Sequence, residues 1–172
     1  YRGHGGSSGA ITIDAPRVTL ANLTVRRSIF HLVHLLGNAD GVTVHNVRLL
    51  DGGQQFLKSS GGGDANIDDV VVSCSHFEMT EDGRRNVWGY GGASTHCYTG
   101  GIDSHVGRRW SIHDNSFRGI HCMADENPRP AHGRFPEQRG DELYVGGLAE
   151  HAIHMWDAPD GEGHMIERNV II

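Results

Sequence analysis

The chain has 172 residues, enough for one domain with a real core and too few for two ordinary ones. A net charge of −6 leaves no basic footprint for nucleic acid, and no apolar run is long enough to cross a bilayer as a helix, so neither partner is expected. The 25 glycines, about twice the usual share, stand against only 5 prolines and point to many turns rather than one flexible tail. No signal peptide is visible at the start, as expected of a mature or trimmed chain. The ending "ERNVII" falls inside what reads as a strand, so a piece of a longer protein is expected.

In chain order, short segments of alternating apolar residues recur. One series runs "VTLANLTV" (18–25), "VTVHNVRL" (42–49), "VVVSCSHF" (70–77), "WSIHDNSF" (110–117) and "HMIERNVI" (164–171). Asn22, Asn46, Asn115 and Asn169 fill a polar turn position in four of the copies, with Cys74 and Ser75 in its place in the third. A second series lies between them: "HLVHL" (31–35), "QFLKS" (55–59), "GIDSH" (101–105) and "AIHMW" (152–156). Val18 to Val42 and Val33 to Leu57 are both 24 residues apart. A period in the low twenties, built of two or three short Val-, Ile- and Thr-rich strands, is that of a solenoid. Asn side chains stacked at equivalent turns form amide ladders. No convincing amphipathic helix is present. The expectation is an all-β, right-handed parallel β-helix of about four to five coils, one domain over residues 1–172. Of the three cysteines, Cys97 and Cys122 could pair, and Cys74, in an apolar strand, should be a buried thiol.

The repeats "VTLANLTVRR" and "GVTVHNVRLLDGGQQFLKSS" resemble the pectate-lyase-like parallel β-helix superfamily. "GGIDSHVGRRWSIHDNSFRGI" is similar to a group of bacterial β-helix repeat proteins, many without an assigned function. The resemblance covers most of the chain except residues 80–96 and 121–147. It implies a secreted or periplasmic protein that works on a polysaccharide or oligosaccharide, and a monomer is expected. Such proteins are often lyases, and sometimes hydrolases, epimerases or adhesins.

Side chains alternate along a strand, so taking Val33, Leu57, Ile102 and Ile153 as one inward stack turns His34, Lys58, Asp103 and His154 outward in one column. Leu36, Ser60, His105 and Trp156 follow two positions on. Two insertions, of roughly 17 and 28 residues, precede the third and fourth copies of this strand, and loops of that length sit on the binding side of a repeat protein. The first offers Arg84, Arg85, Trp88 and Tyr90; the second offers His121, Asp125, Glu126, Arg134, Phe135 and Tyr144. Aromatic rings stack on sugars and arginine forks hold carboxylates.

A uronate lyase needs a cation against the sugar carboxylate, a base for the C5 proton and an acid for the leaving oxygen. Lys58, His34, His105 and His154 are the catalytic candidates. Arg84, Arg85, Trp88, Tyr90, Arg134, Tyr144 and Trp156 are the substrate-binding ones. The resemblance implies Ca2+ as the neutralising ion, for which Asp103 with Glu150 or Asp157 would supply oxygens. Zn2+ across the rungs on His105, Asp103 and His154 is the lesser alternative. A strand turns residues three apart to opposite faces, so neither "HLVH" nor "HAIH" should chelate within itself, and His151 should point inward or sit at the strand's entry. The rival readings are a metal-dependent glycan hydrolase and a β-helix that binds glycan without chemistry.

Overall fold

The computed structural model describes residues 9–60, 66–86, 99–121, 151–156 and 162–172. It is a right-handed parallel β-helix of five coils, each built of three short strands. The coils are β1 (Ile11–Ile13), β2 (Thr19–Ala21) and β3 (Thr24–Ser28); β4 (Val33–Leu36), β5 (Thr43–His45) and β6 (Arg48–Gly52); β7 (Gln55–Ser60), β8 (Val71–Ser73) and β9 (His76–Glu78); β10 (Gly100–Ser104), β11 (Ser111–His113) and β12 (Ser116–Arg118); β13 (His151–Met155), β14 (Met165–Glu167) and β15 (Val170–Ile171). Strands stack in parallel into sheet A (β1-β4-β7-β10-β13), sheet B (β2-β5-β8-β11-β14) and sheet C (β3-β6-β9-β12-β15). The interior is a column of stacked aliphatic and aromatic side chains. Val44, Val72 and Ile112 fill it from sheet B, and Leu49, Phe77 and Phe117 from sheet C. The Phe77 and Phe117 rings stack 4.6 Å apart. Trp110 is fully buried and donates its indole N–H to the Ile67 carbonyl at 2.7 Å.

Each eight-residue segment of the first sequence series is two strands joined by a bend. The bend residue takes the left-handed conformation on every coil: Asn22, Asn46, Cys74, Asp114 and Arg168 have φ between 50° and 58°. Asn and Asp tolerate this region better than other non-glycine residues. Cys74 is therefore exposed, not buried as its apolar neighbours suggest, because the bend throws its side chain outward.

The asparagines divide between two adjacent positions rather than sharing one. Asn22 and Asn46 are bend residues, and Asn46 donates to the Asn22 side-chain oxygen at 2.8 Å. Asn115 and Asn169 come one residue later and lie partly or fully inside, level with Val47 and Ser75. There each polar side chain accepts the backbone N–H of the preceding coil: Val47 donates to Ser75 Oγ, Ser75 to Asn115 Oδ1, and Asn115 to Asn169 Oδ1. The backbone at the bend is thus satisfied by side chains.

One short helix, α1 (Glu81–Asn86), opens the first insertion. It is too short to carry an amphipathic pattern. Thr80 caps it by accepting the Gly83 N–H at 3.0 Å, and Glu81 and Asp82 suit the positive end of its dipole. Among the described residues no helix is long and apolar enough to cross a membrane.

Candidate functional site

Sheet A carries the titratable column. Val33, Leu57, Ile102 and Ile153 are in register, and so are His34, Lys58, Asp103 and His154 on the next position. The alternation breaks once at the entry to β4, β7, β10 and β13, where two consecutive residues face the interior. Leu32 and Val33, and Phe56 and Leu57, are fully buried in the core; Ala152 and Ile153 pack against it. On the third of these coils the inward position is Gly101, where a Cβ would meet the Ala152 carbonyl at 2.3 Å and the Phe117 ring at 2.8 Å.

The break corrects the expectation for the two HxxH pairs. With two residues inward between them, the first and fourth residues return to the same side. The His31 and His34 rings lie 4.9 Å apart and the His151 and His154 rings 5.2 Å apart. His151 does sit at the entry of its strand, but its ring joins the outer column. By the same spacing Gln55 and Gly100 take the matching outer positions on β7 and β10. Gly100 leaves a gap there, and the His151 ring leans over it: a Cβ on Gly100 would stand 2.4 Å from His151 Nε2.

Asp103 is the hub. Lys58 donates to its Oδ2 at 2.5 Å, and His154 Nδ1–H donates to its Oδ1 at 2.9 Å. His105 Nε2 stands 3.6 Å from Oδ2. The first three members of the column are buried, His34 at 0%, Lys58 at 4% and Asp103 at 1%, whereas the His154 side chain is 46% exposed and Trp156 beside it 67%. The open end is therefore formed by His154, His105 and Trp156, with the Trp156 ring 5.0 Å from that of His105. At the closed end His34 Nε2 shares a 2.9 Å hydrogen bond with Ser60 Oγ. His31 donates from Nδ1 to the Gln55 carbonyl at 3.1 Å.

Burial governs the charge states. It pushes the Lys58 ammonium down, and the Asp103 carboxylate only partly restores it. Burial alone would raise Asp103, but the Lys58 hydrogen bond and charge, His105 and the His154 hydrogen bond outweigh it and hold the carboxyl below its usual range. Burial, reinforced by the Lys58 charge, lowers His105. Burial takes His31 down to about 3, helped by His34, and His151 down to about 4, with Asp103 opposing. At neutral pH the Lys58–Asp103 pair therefore stands beside neutral His31 and His151 rings.

Of the candidate catalytic residues, the structure brings His34, Lys58, His105 and His154 together around Asp103. Of the substrate-binding candidates, Trp156 alone stands beside them among those described. Arg84 is occupied elsewhere: its guanidinium donates to the carbonyls of Met79, Gly119 and His121, tying α1 to the end of β12. The Arg85 side chain, Trp88, Tyr90, Arg134, Tyr144 and Glu150 lie outside the described residues, as do Cys97, Cys122 and Asp157. His31, Gln55 and His151 are the residues that sequence reasoning missed. The signal was present, since "HLVH", "QFLK", "GGID" and "HAIH" are equivalent four-residue frames with a large or small apolar pair at their centre.

An arrangement of this kind can hold a proton acceptor, a proton donor and a carboxylate that orients both. Asp103 is the one carboxylate of the described column, held by Lys58 and His154, and the other expected calcium ligands, Glu150 and Asp157, lie outside the described residues. Comparison with known proteins adds no relative: no family model matches the chain, and no curated protein or solved structure is significantly similar to it.

Proposed function

We propose that this protein is a polysaccharide-processing β-helix of the pectate-lyase-like kind, acting on a uronate-containing glycan by β-elimination along the outer face of sheet A. The observation that carries the reading is the single carboxylate of Asp103 contacting Lys58, His105 and His154 together. His105, kept neutral by burial and with a buried Nε2 that has no hydrogen-bond partner, is the base for the C5 proton. The electrons of that C–H bond form the C4–C5 double bond, and the C4–O bond breaks. Lys58, an ammonium made more acidic by burial, protonates the departing oxygen. Asp103 positions both groups, and Trp156 offers a ring face for a sugar at the open end. No step is assigned to calcium. The substrate class implies a protein outside the cytoplasm, secreted or periplasmic, that acts as a monomer.

The test is incubation with alginate, pectate and glycosaminoglycans while following the absorbance of the unsaturated product. Absorbance should rise with at least one of them and fall by two orders of magnitude or more in Lys58→Ala and His105→Ala, with unchanged circular dichroism. The near-complete burial of the Lys58–Asp103 pair favours a second reading, a groove that binds glycan without cleaving it. Retention on glycan affinity gels without product formation would replace the first reading by the second.

A further inference from the structure

We propose that Asp103, His151 and His154 form a site for a late first-row divalent metal ion of the zinc class. One ligand atom from each of the three lies within 4.8 Å of the others. Asp103 Oδ1 and His154 Nδ1, at 2.9 Å, are already near the separation of about 3.3 Å that two ligands keep on a tetrahedral ion with bonds of about 2.0–2.1 Å. The proton now shared between them would move to His154 Nε2, leaving Nδ1 free to bind the ion. His151 brings a ring nitrogen, Nε2, that is buried with no hydrogen-bond partner. A buried polar atom normally has one. Its ring fits beside Asp103 only because position 100 is glycine, since a Cβ there would stand 2.4 Å from Nε2.

Two imidazoles and one carboxylate suit zinc, cobalt or nickel and not calcium, which takes oxygen. Three protein ligands leave a coordination position open, as in catalytic rather than structural zinc sites. Lys58 on Oδ2 holds the carboxylate with Oδ1 toward the histidines, the part an outer-shell partner plays around a metal ligand. On the other side of Gly100 from His151, the fully buried Gln55 amide also has no partner on either atom. Both occupy the outer positions flanking Gly100 in the register. An ion with a bound water in this gap would satisfy both residues. The inference stands on ligand geometry and does not depend on the glycan reading.

The experiment uses the whole chain without a polyhistidine tag, stripped with chelator and titrated with Zn2+, Co2+ or Ca2+ against a chromophoric competitor. Expected are one Zn2+ per chain, visible Co2+ bands of a four- or five-coordinate ion, and Ca2+ binding at least a hundredfold weaker. His151→Ala, His154→Ala and Asp103→Asn should each weaken Zn2+ at least tenfold. Gly100→Ala, which displaces the His151 ring while keeping every ligand, should alter the Co2+ spectrum. His113→Ala on sheet B should change nothing. The proposal is overturned if the wild-type chain takes up no stoichiometric Zn2+, if Ca2+ binds more tightly, or if His151→Ala and His154→Ala, folded by circular dichroism, bind as the wild type does.

Discussion

The outer face of sheet A and the corner leading into sheet B carry similar stacked charges in opposite circumstances. At the corner, Arg108 and Arg109 meet Asp68, Asp69 and Glu162 across three coils, with Arg109 to Asp69 at 2.7 Å and Arg109 42% exposed. On sheet A, Lys58 meets Asp103 at a similar distance but almost out of contact with solvent. Geometry alone does not separate the two. Desolvation does: an exposed ion pair is screened and contributes little, whereas a buried one is costly to leave unpaired and shifts the protonation of everything near it. A stacked ladder of charges is thus ordinary in a parallel sheet, and burial around a shared carboxylate is what singles out the sheet A column as the candidate site.

That contrast is broken most directly by removing one partner. Asp103→Ala leaves the Lys58 ammonium buried without its carboxylate, and a loss of about 3–5 kcal/mol is expected in urea unfolding. Lys58→Met combined with Asp103→Leu removes both charges and should recover most of that loss. Arg109→Ala, at the exposed corner, should leave the urea midpoint within error. A loss for Arg109→Ala as large as that for Asp103→Ala would mean that burial is not what distinguishes the two columns.

The buried imidazoles give the next largest effect. His31 at about 3 and His151 at about 4 both lie below the ordinary 6.5, chiefly because burial disfavours the charged ring. Below pH 6.5 the unfolded chain takes up protons that the folded chain refuses. The stability held by the neutral rings is therefore complete above pH 6.5 and is lost progressively as pH falls toward 4 and then 3. A decline on the order of 2–4 kcal/mol between pH 7 and pH 4.5 is expected in denaturant titrations. His31→Asn keeps a donor for the Gln55 carbonyl but cannot be protonated, so its profile should be flatter over this window. An equally steep profile in that variant would assign the acid sensitivity to other groups.

The coil, its period and the register of sheet A were legible in the sequence because alternation and a 24-residue spacing fix which residues stack. Val33 over Leu57 and His34 over Lys58 follow from counting. His151 was missed because strict alternation hides the two-residue inward step at Leu32–Val33 and Ala152–Ile153, which shows only when the four-residue frames are aligned with one another. The exposure of Cys74 was hidden for a related reason. A left-handed residue in the middle of "VVVSCSHF" reverses the side a side chain takes, and nothing in the apolar pattern announces it. Nor could the burial of Lys58 and Asp103 be read, since alternation assigns a face and not what covers it.

The same buried-versus-exposed contrast recurs within a single bend, where it is smallest and cleanest. Asn115 is 2% exposed, accepts the Ser75 N–H at 2.9 Å and donates to the Val72 carbonyl at 2.9 Å. Asn46, its neighbour by one position two coils away, is exposed and makes one amide bond to Asn22. Asn115→Ala strands a buried N–H and a buried carbonyl, at a cost of about 1–3 kcal/mol. Asn46→Gly keeps the left-handed φ available and loses a bond that water can replace, so a change of only about 0.5 kcal/mol is expected. Urea midpoints of the two variants, measured side by side, check this. Equal losses would mean that the outer amide ladder stabilises the coil as much as the inner one, and that side-chain stacking, not the satisfaction of buried backbone groups, holds the bend.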